Sequence, residues 1–335
     1  MGIAFSFTVL VITLVVLGFS SSRIVKLLTG ISSLLRVPKF LLSFVVLGLG
    51  TSLPDLMVSG IAASAGEVDL LLASIIGANL IVLCVVLAVV TIRKGAFQVR
   101  EQSILENFGW IFFVIAIPFF LLMDNRLTVL EGLILVVVYL MYLFHVREQA
   151  PVAAKEEEHT HQMFPSVPKQ HNKTMLLLEM LVFLGIALVA SNVIVNTAVE
   201  ISASFNIHPI LLGFTIISLG IAIPELVLDL SALSAREEEV IWGDLIGSFI
   251  TELTLVLGLA AVIGGSLSFT FDHFIVGYGF MVLAFLLVFF FAFRKKVITR
   301  TEGVMLLLLY IIFLSVQFDL IHVQSPIQSI MWLVP

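Results

Sequence analysis

Apolar residues fall into ten runs along the chain, near 3–28, 39–65, 69–91, 104–123, 127–146, 175–199, 210–233, 240–263, 274–293 and 303–322. Most match the roughly 20 residues an α-helix needs to cross a hydrocarbon core about 30 Å thick. The connections between the runs are polar, and most of them are short. The pattern predicts an all-α polytopic membrane protein of ten transmembrane helices. The first run, Ile3–Phe19, has no basic residue before it and no small-residue cleavage site after it, so it is expected to be helix 1 rather than a removable signal.

The connections set the expected orientation. With the N-terminus outside, every Lys and Arg except Arg126 falls in an inside connection, including Arg23, Arg93, Arg147, Arg236 and Arg294. Basic residues accumulate on the cytoplasmic side of membrane proteins. A wrong number of spans would scramble this asymmetry, so both termini are expected outside. The longest polar segment, 147–173, joins helices 5 and 6 inside. It divides the chain into a first transmembrane repeat, 1–146, a cytoplasmic linker, and a second repeat, 174–335. The linker carries Glu156, Glu157, Glu158, His159, His161 and His171 among prolines, a composition that favours a solvated linker over a metal sensor. The sequon at Asn172 would lie inside, where it is not used.

Composition agrees. The chain is 60% hydrophobic and 12% charged, with a mean hydropathy of +1.17, against roughly 25% charged residues in soluble domains. Cys84 is the only cysteine and lies in an apolar run, which excludes a disulfide framework and a cysteine metal site.

The two halves match at a constant offset of 170 positions, without gaps. Leu41-Leu42-Ser43-Phe44 pairs with Leu211-Leu212-Gly213-Phe214, Pro54-Asp55-Leu56 with Pro224-Glu225-Leu226, and Ile76-Gly77-Ala78 with Ile246-Gly247-Ser248. Helix 2 runs outward and helix 7 inward, so the repeats are inverted, an arrangement common in secondary transporters that bind near the midplane. The matched set includes Gly, Pro and carboxylates, which chance similarity between Leu-rich helices does not supply.

Pro54 and Pro224 lack an amide hydrogen and leave the carbonyls of Gly50 and Gly220 without their helical partners, breaking helices 2 and 7. Beside each break is an acid, Asp55 or Glu225. Helix 8 places Asp244, Ser248 and Glu252 on one face, and Asp229 lies one turn past Glu225. A buried acid costs about 2.5–3.5 kcal/mol on insertion scales, and no Lys or Arg lies at this depth. The missing countercharge is then a metal cation or protons. Thr51 and Ser52, at the break, and Ser248 complete an oxygen-rich candidate site. Hydroxyls at Ser59, Ser74 and Thr215 compete with simple bonding to their own helices. An all-oxygen set suits Ca2+, with Na+ or H+ also possible, and lacks the His and Cys that zinc or copper prefer.

Gly50-Thr51-Ser52-Leu53-Pro54-Asp55 resembles the first signature of the cation/calcium exchanger superfamily, and Gly220-Ile221-Ala222-Ile223-Pro224-Glu225 its second copy. Gly243-Asp244-Leu245-Ile246-Gly247-Ser248 resembles the element of the following helix. The resemblance implies exchange of Ca2+ against Na+ or H+ by alternating access, with cations bound at Asp55, Glu225 and Glu252. This chain departs from the pattern at Ala78, Val82, Ile221 and Ala222, where the family places polar ligands. The losses imply fewer Na+ sites, or proton coupling. The expected function is therefore a Ca2+/Na+ antiporter, with an H+-coupled or other-cation exchanger as the alternative. An intramembrane aspartyl protease is disfavoured, because the G-x-G-D element is absent. A channel is disfavoured because nothing resembles a selectivity filter. The expected partners are metal cations and the lipid bilayer, with no nucleic acid and no resident cofactor; the expected state is a monomer in a prokaryotic cytoplasmic membrane.

Overall fold

The computed structural model of the protein describes residues 3–34, 48–98, 101–153, 173–205, 207–235 and 238–331. The described chain is mostly helical. In order, the helices are α1 (Ile3–Leu34), α2 (Gly48–Thr51), α3 (Leu53–Ala65), α4 (Val68–Ile81), α5 (Leu87–Lys94), α6 (Glu101–Leu122), α7 (Val129–Ala153), α8 (Lys173–Phe205), α9 (Pro209–Leu212), α10 (Ser218–Ile221), α11 (Ile223–Ala235), α12 (Glu238–Thr251), α13 (Leu257–Gly264), α14 (Asp272–Lys295) and α15 (Arg300–Met331). Three π-helical turns, Val82–Val86, Gly213–Ile217 and Glu252–Val256, join α4 to α5, α9 to α10 and α12 to α13.

Among the described residues, seven helices are long and apolar enough to cross a membrane: Phe5–Ile24, Val68–Lys94, Val129–Val146, Met175–Phe205, Val240–Gly264, Asp272–Arg294 and Arg300–Asp319. A pair bent by 40°, Pro209–Ile221 and Ile223–Ser234, forms one further broken span, and Leu53–Ala65 and Gly109–Leu122 are shorter apolar helices. The run expected from residue 39 enters the described residues only at Gly48. α7 continues to Ala153, past the residue at which the linker is expected to start, and 154–172 lie outside the described residues. α15 also runs past the expected 322, to Met331.

Val68–Lys94 and Val240–Gly264 are buried over 83% and 78% of their most apolar stretches and form the centre. α1 packs against α8 at the periphery. There α8 presents Leu181, Val182 and Val189 outward, 59–66% exposed. An apolar belt of this kind is stable only against lipid. The protein is an integral, multi-pass membrane protein.

The offset of 170 extends from residues to elements. α3 and α11, α4 and α12, the turns Val82–Val86 and Glu252–Val256, and α5 and α13 have matching bounds at that spacing. Helix caps repeat as well. Glu131 Oε2 accepts from Thr128 N at 2.7 Å, and Glu302 Oε2 accepts from Thr299 N at 2.7 Å, two capping boxes that open α7 and α15. Four short strands tie the halves together: β1 (Ala96–Gln98) pairs antiparallel with β4 (Val297–Thr299), and β2 (Arg126–Leu127) with β3 (Leu267–Ser268).

Close approach fixes the helices around the centre. A Cβ at Gly77 of α4 would meet Ser218 Oγ and, at 3.0 Å, Phe214 Cα. The Gly213–Ile217 turn leaves carbonyls that neighbouring helices satisfy: Ser218 Oγ donates to Gly213 O, and Tyr310 OH to Phe214 O at 3.2 Å.

Candidate cation-binding site

The helix breaks fall at Ser52 and Ala222, whose backbones are nearly identical: φ −77°, ψ 3° and φ −79°, ψ 1°. The proline two residues on removes an amide from the ladder and suits the first turn of the helix that restarts. Asp55 and Glu225 consequently occupy the first turns of α3 and α11. The positive end of a helix dipole favours a carboxylate there by about 0.3–1 kcal/mol. At the second break the Ala222 N–H donates to Ser218 O at 3.1 Å. Gly220 itself is required by packing, since a Cβ would run into Leu14 of α1.

Asp55, Glu225 and Glu252 converge from α3, α11 and the π turn that follows α12. One oxygen of each lies within 4.8 Å of the others, and all three residues are 1% exposed. Some point lies within about 2.8 Å of all three atoms so spaced, close to the ~2.3–2.6 Å of Ca2+–oxygen contacts. Asp244 and Asp229 are buried as well. Thr51 Oγ1 donates to Asp244 Oδ1 at 3.0 Å, joining the first break to α12. Asp229 lies within electrostatic reach of Asp244, and Glu225 within reach of Asp55, Asp244 and Glu252.

Five acids thus crowd one buried region. Oxygens of all five, including both of Glu225, have no hydrogen-bond partner. Lys94 pairs with Glu238 and Arg294 with Glu302 at helix ends, away from these acids. Buried carboxylates without partners are costly as anions. The arrangement stabilises whatever positive charge enters it, whether metal ion or proton.

The hydroxyls divide. Ser52 Oγ is buried and has no partner. Ser248 is buried near the acids, but its hydroxyl faces Leu245 O of its own helix at 3.5 Å. Ser74 and Thr215 bond back to Leu71 O and Leu211 O, whereas Ser59 Oγ finds no partner. In the first half Ala78 and Val82, and in the second Ile221 and Ala222, are buried apolar side chains that contribute no ligand atom. Gly50 is buried at the end of α2. A cavity of ≈ 230 Å³ touches the site at Ser52 and Thr251 and is otherwise lined by Leu49, Leu53, Leu56 and Leu255 among others.

A second cluster was not legible in the sequence. Asp69, His208 and His273 each bring a ligand atom within 4.8 Å of the other two. Their separation along the chain gives no spacing signal.

The fold and the buried acids define a class, a multi-pass membrane transporter for cations. Within it, the chain belongs to the sodium/calcium exchanger family, whose model matches residues 5–147 and 175–318. It is 25% identical to the sodium/calcium exchanger MaX1 of Methanosarcina acetivorans, over 94% of this chain and 99% of that one. It is likewise 25% identical to the inner membrane protein YrbG of Escherichia coli, over 76% of this chain and 78% of the relative. A solved structure of the sodium-calcium exchanger NCX_Mj, soaked with Na+ and Ca2+, shares the fold with a TM-score of 0.63 and 22% identity, covering 93% of this chain and 98% of that one.

Proposed function

We propose that this protein is a secondary antiporter exchanging Ca2+ against Na+ by alternating access at Asp55, Glu225 and Glu252. The observation that carries the reading is the convergence of these carboxylates, one from the first half and two from the second, in a buried place with no basic partner. Ca2+ takes about 6–8 oxygens. The three carboxylates, with Ser52, Thr51 and the backbone at Gly50 and Gly220, offer a set of that kind, and Asp244, Asp229 and Ser248 surround it. In this reading ten spans form two inverted five-helix repeats, with both termini outside and the 147–173 loop in the cytoplasm. The matching element bounds and the two breaks support the repeat. The exchangers it is similar to support the cation pair.

Proton coupling is the second reading. Ile221 and Ala222 remove the hydroxyls that Thr51 and Ser52 supply in the other half, and Asp229 and Asp244 add acids able to carry H+. The test is uptake of 45Ca2+ into proteoliposomes under outward Na+ or H+ gradients. Na+-driven uptake that is abolished by Glu225→Gln is expected. Uptake driven by H+ alone selects the second reading, and no uptake under either gradient overturns both for Ca2+.

A further inference from the structure

The second cluster lies away from the buried acids, at the end of the molecule that carries β2 and β3. Asp69 is in the first turn of α4, His208 is the N-cap of α9, and His273 is in the first turn of α14. His208 Nε2 lies 3.8 Å from Asp69 Oδ2. The two imidazoles stand 5.7 Å apart, edge to face at 75°. Tetrahedral zinc, with ligands at about 2.0–2.2 Å, holds them roughly 3.3 Å from one another, so small side-chain movements close the set.

Two buried polar atoms at this place have no hydrogen-bond partner: His273 Nδ1, and Oε1 of Gln317, whose amide donates to His273 O at 3.4 Å. The His208 imidazole lies between the Asp69 carboxylate and the His273 ring. Its present contact, Nδ1 accepting from the Ile210 N–H at 3.5 Å, is long and is given up at little cost. Exposure is intermediate for all three residues, which leaves them reachable from solvent.

We propose that Asp69, His208 and His273 form a binding site for a transition-metal ion of the Zn2+ class, separate from the carboxylate site. Two imidazoles and one carboxylate favour Zn2+, Co2+ or Ni2+ over Ca2+ and Na+, which prefer oxygen throughout. The ligands come from both halves, so a bound ion ties α4 to the starts of α9 and α14. The site is a place where such an ion slows relative movement of these helices.

The test uses Co2+ as the probe, bound to the purified full-length chain, with its visible ligand-field band as readout and Zn2+ as competitor. The expected result is a Co2+ band displaced by Zn2+ and retained in Glu225→Gln. Losing a supporting partner of a metal ligand already costs about 10–100-fold in affinity, so His273→Ala and Asp69→Asn are each expected to weaken Co2+ binding by about tenfold or more. The two substitutions lie on different helices, and both variants are checked for a monodisperse elution profile. A band unchanged in both, a band lost in Glu225→Gln instead, or no band at millimolar Co2+ overturns the proposal.

Discussion

Ile221 and Ala222 differ in chemistry from their counterparts. They stand where Thr51 and Ser52 stand in the first half, on a backbone bent in the same way, yet offer no oxygen. If the missing hydroxyls set the coupling ion, restoring them restores Na+ dependence. One hydrogen-bond-sized interaction is about 0.5–1.5 kcal/mol, so Ile221→Thr with Ala222→Ser is expected to raise Na+-driven over H+-driven 45Ca2+ uptake by roughly 2–10-fold. An unchanged ratio would break the link between these hydroxyls and coupling. At this scale Asp55 and Glu225 were legible, because a repeated proline marks them, and Glu252 because it shares a helix face with Asp244. The bond from Thr51 to Asp244 was not, since it crosses between elements far apart in the chain. Asp69, His208 and His273 were hidden for the same reason. Each is ordinary where it stands, and only packing gathers them.

The breaks at Ser52 and Ala222 followed from Pro54 and Pro224, and the structure places both within two residues of expectation. The π turns were invisible, because one extra residue per turn leaves an apolar run apolar. They matter nonetheless. Glu252 opens one of them, and the widened turn sets the direction in which its side chain points. Gly77 tests how tightly the elements are fitted. A methyl there meets Ser218 and the backbone of Phe214, and overpacking costs about 1–3 kcal/mol. Gly77→Ala is therefore expected to lower the thermal unfolding midpoint by several degrees, at about 2–4 °C per kcal/mol for a chain of 150–250 residues and less for a longer one. Gly279→Ala, which meets nothing within 4 Å, is the control and is expected to leave the midpoint in place. Equal midpoints would mean that α4 and the Gly213–Ile217 turn have room to spare.

For the molecule as a whole, the membrane assignment was legible from composition alone, and the matching halves from a single offset. The pairing of the strands was not, because two- and three-residue strands carry no pattern. Yet that pairing governs how the halves are held. β1 follows one end of the Val68–Lys94 helix, while β2 and β3 lie toward the other, and 27 residues of helix span about 40 Å. First-half strands thus clasp second-half strands at both ends of the molecule, with the carboxylates from both halves between them. The peptide connection between Ala153 and Lys173 is therefore expected to be dispensable for assembly. Two polypeptides ending and starting there, made together in one cell, are expected to copurify and to take up 45Ca2+, whereas either fragment alone is inert. Failure of the fragments to find each other would show that covalent continuity, not the crossed strands, keeps the halves in register. Success would make the protein an obligate heterodimer written, by accident of one uncut gene, as a single chain.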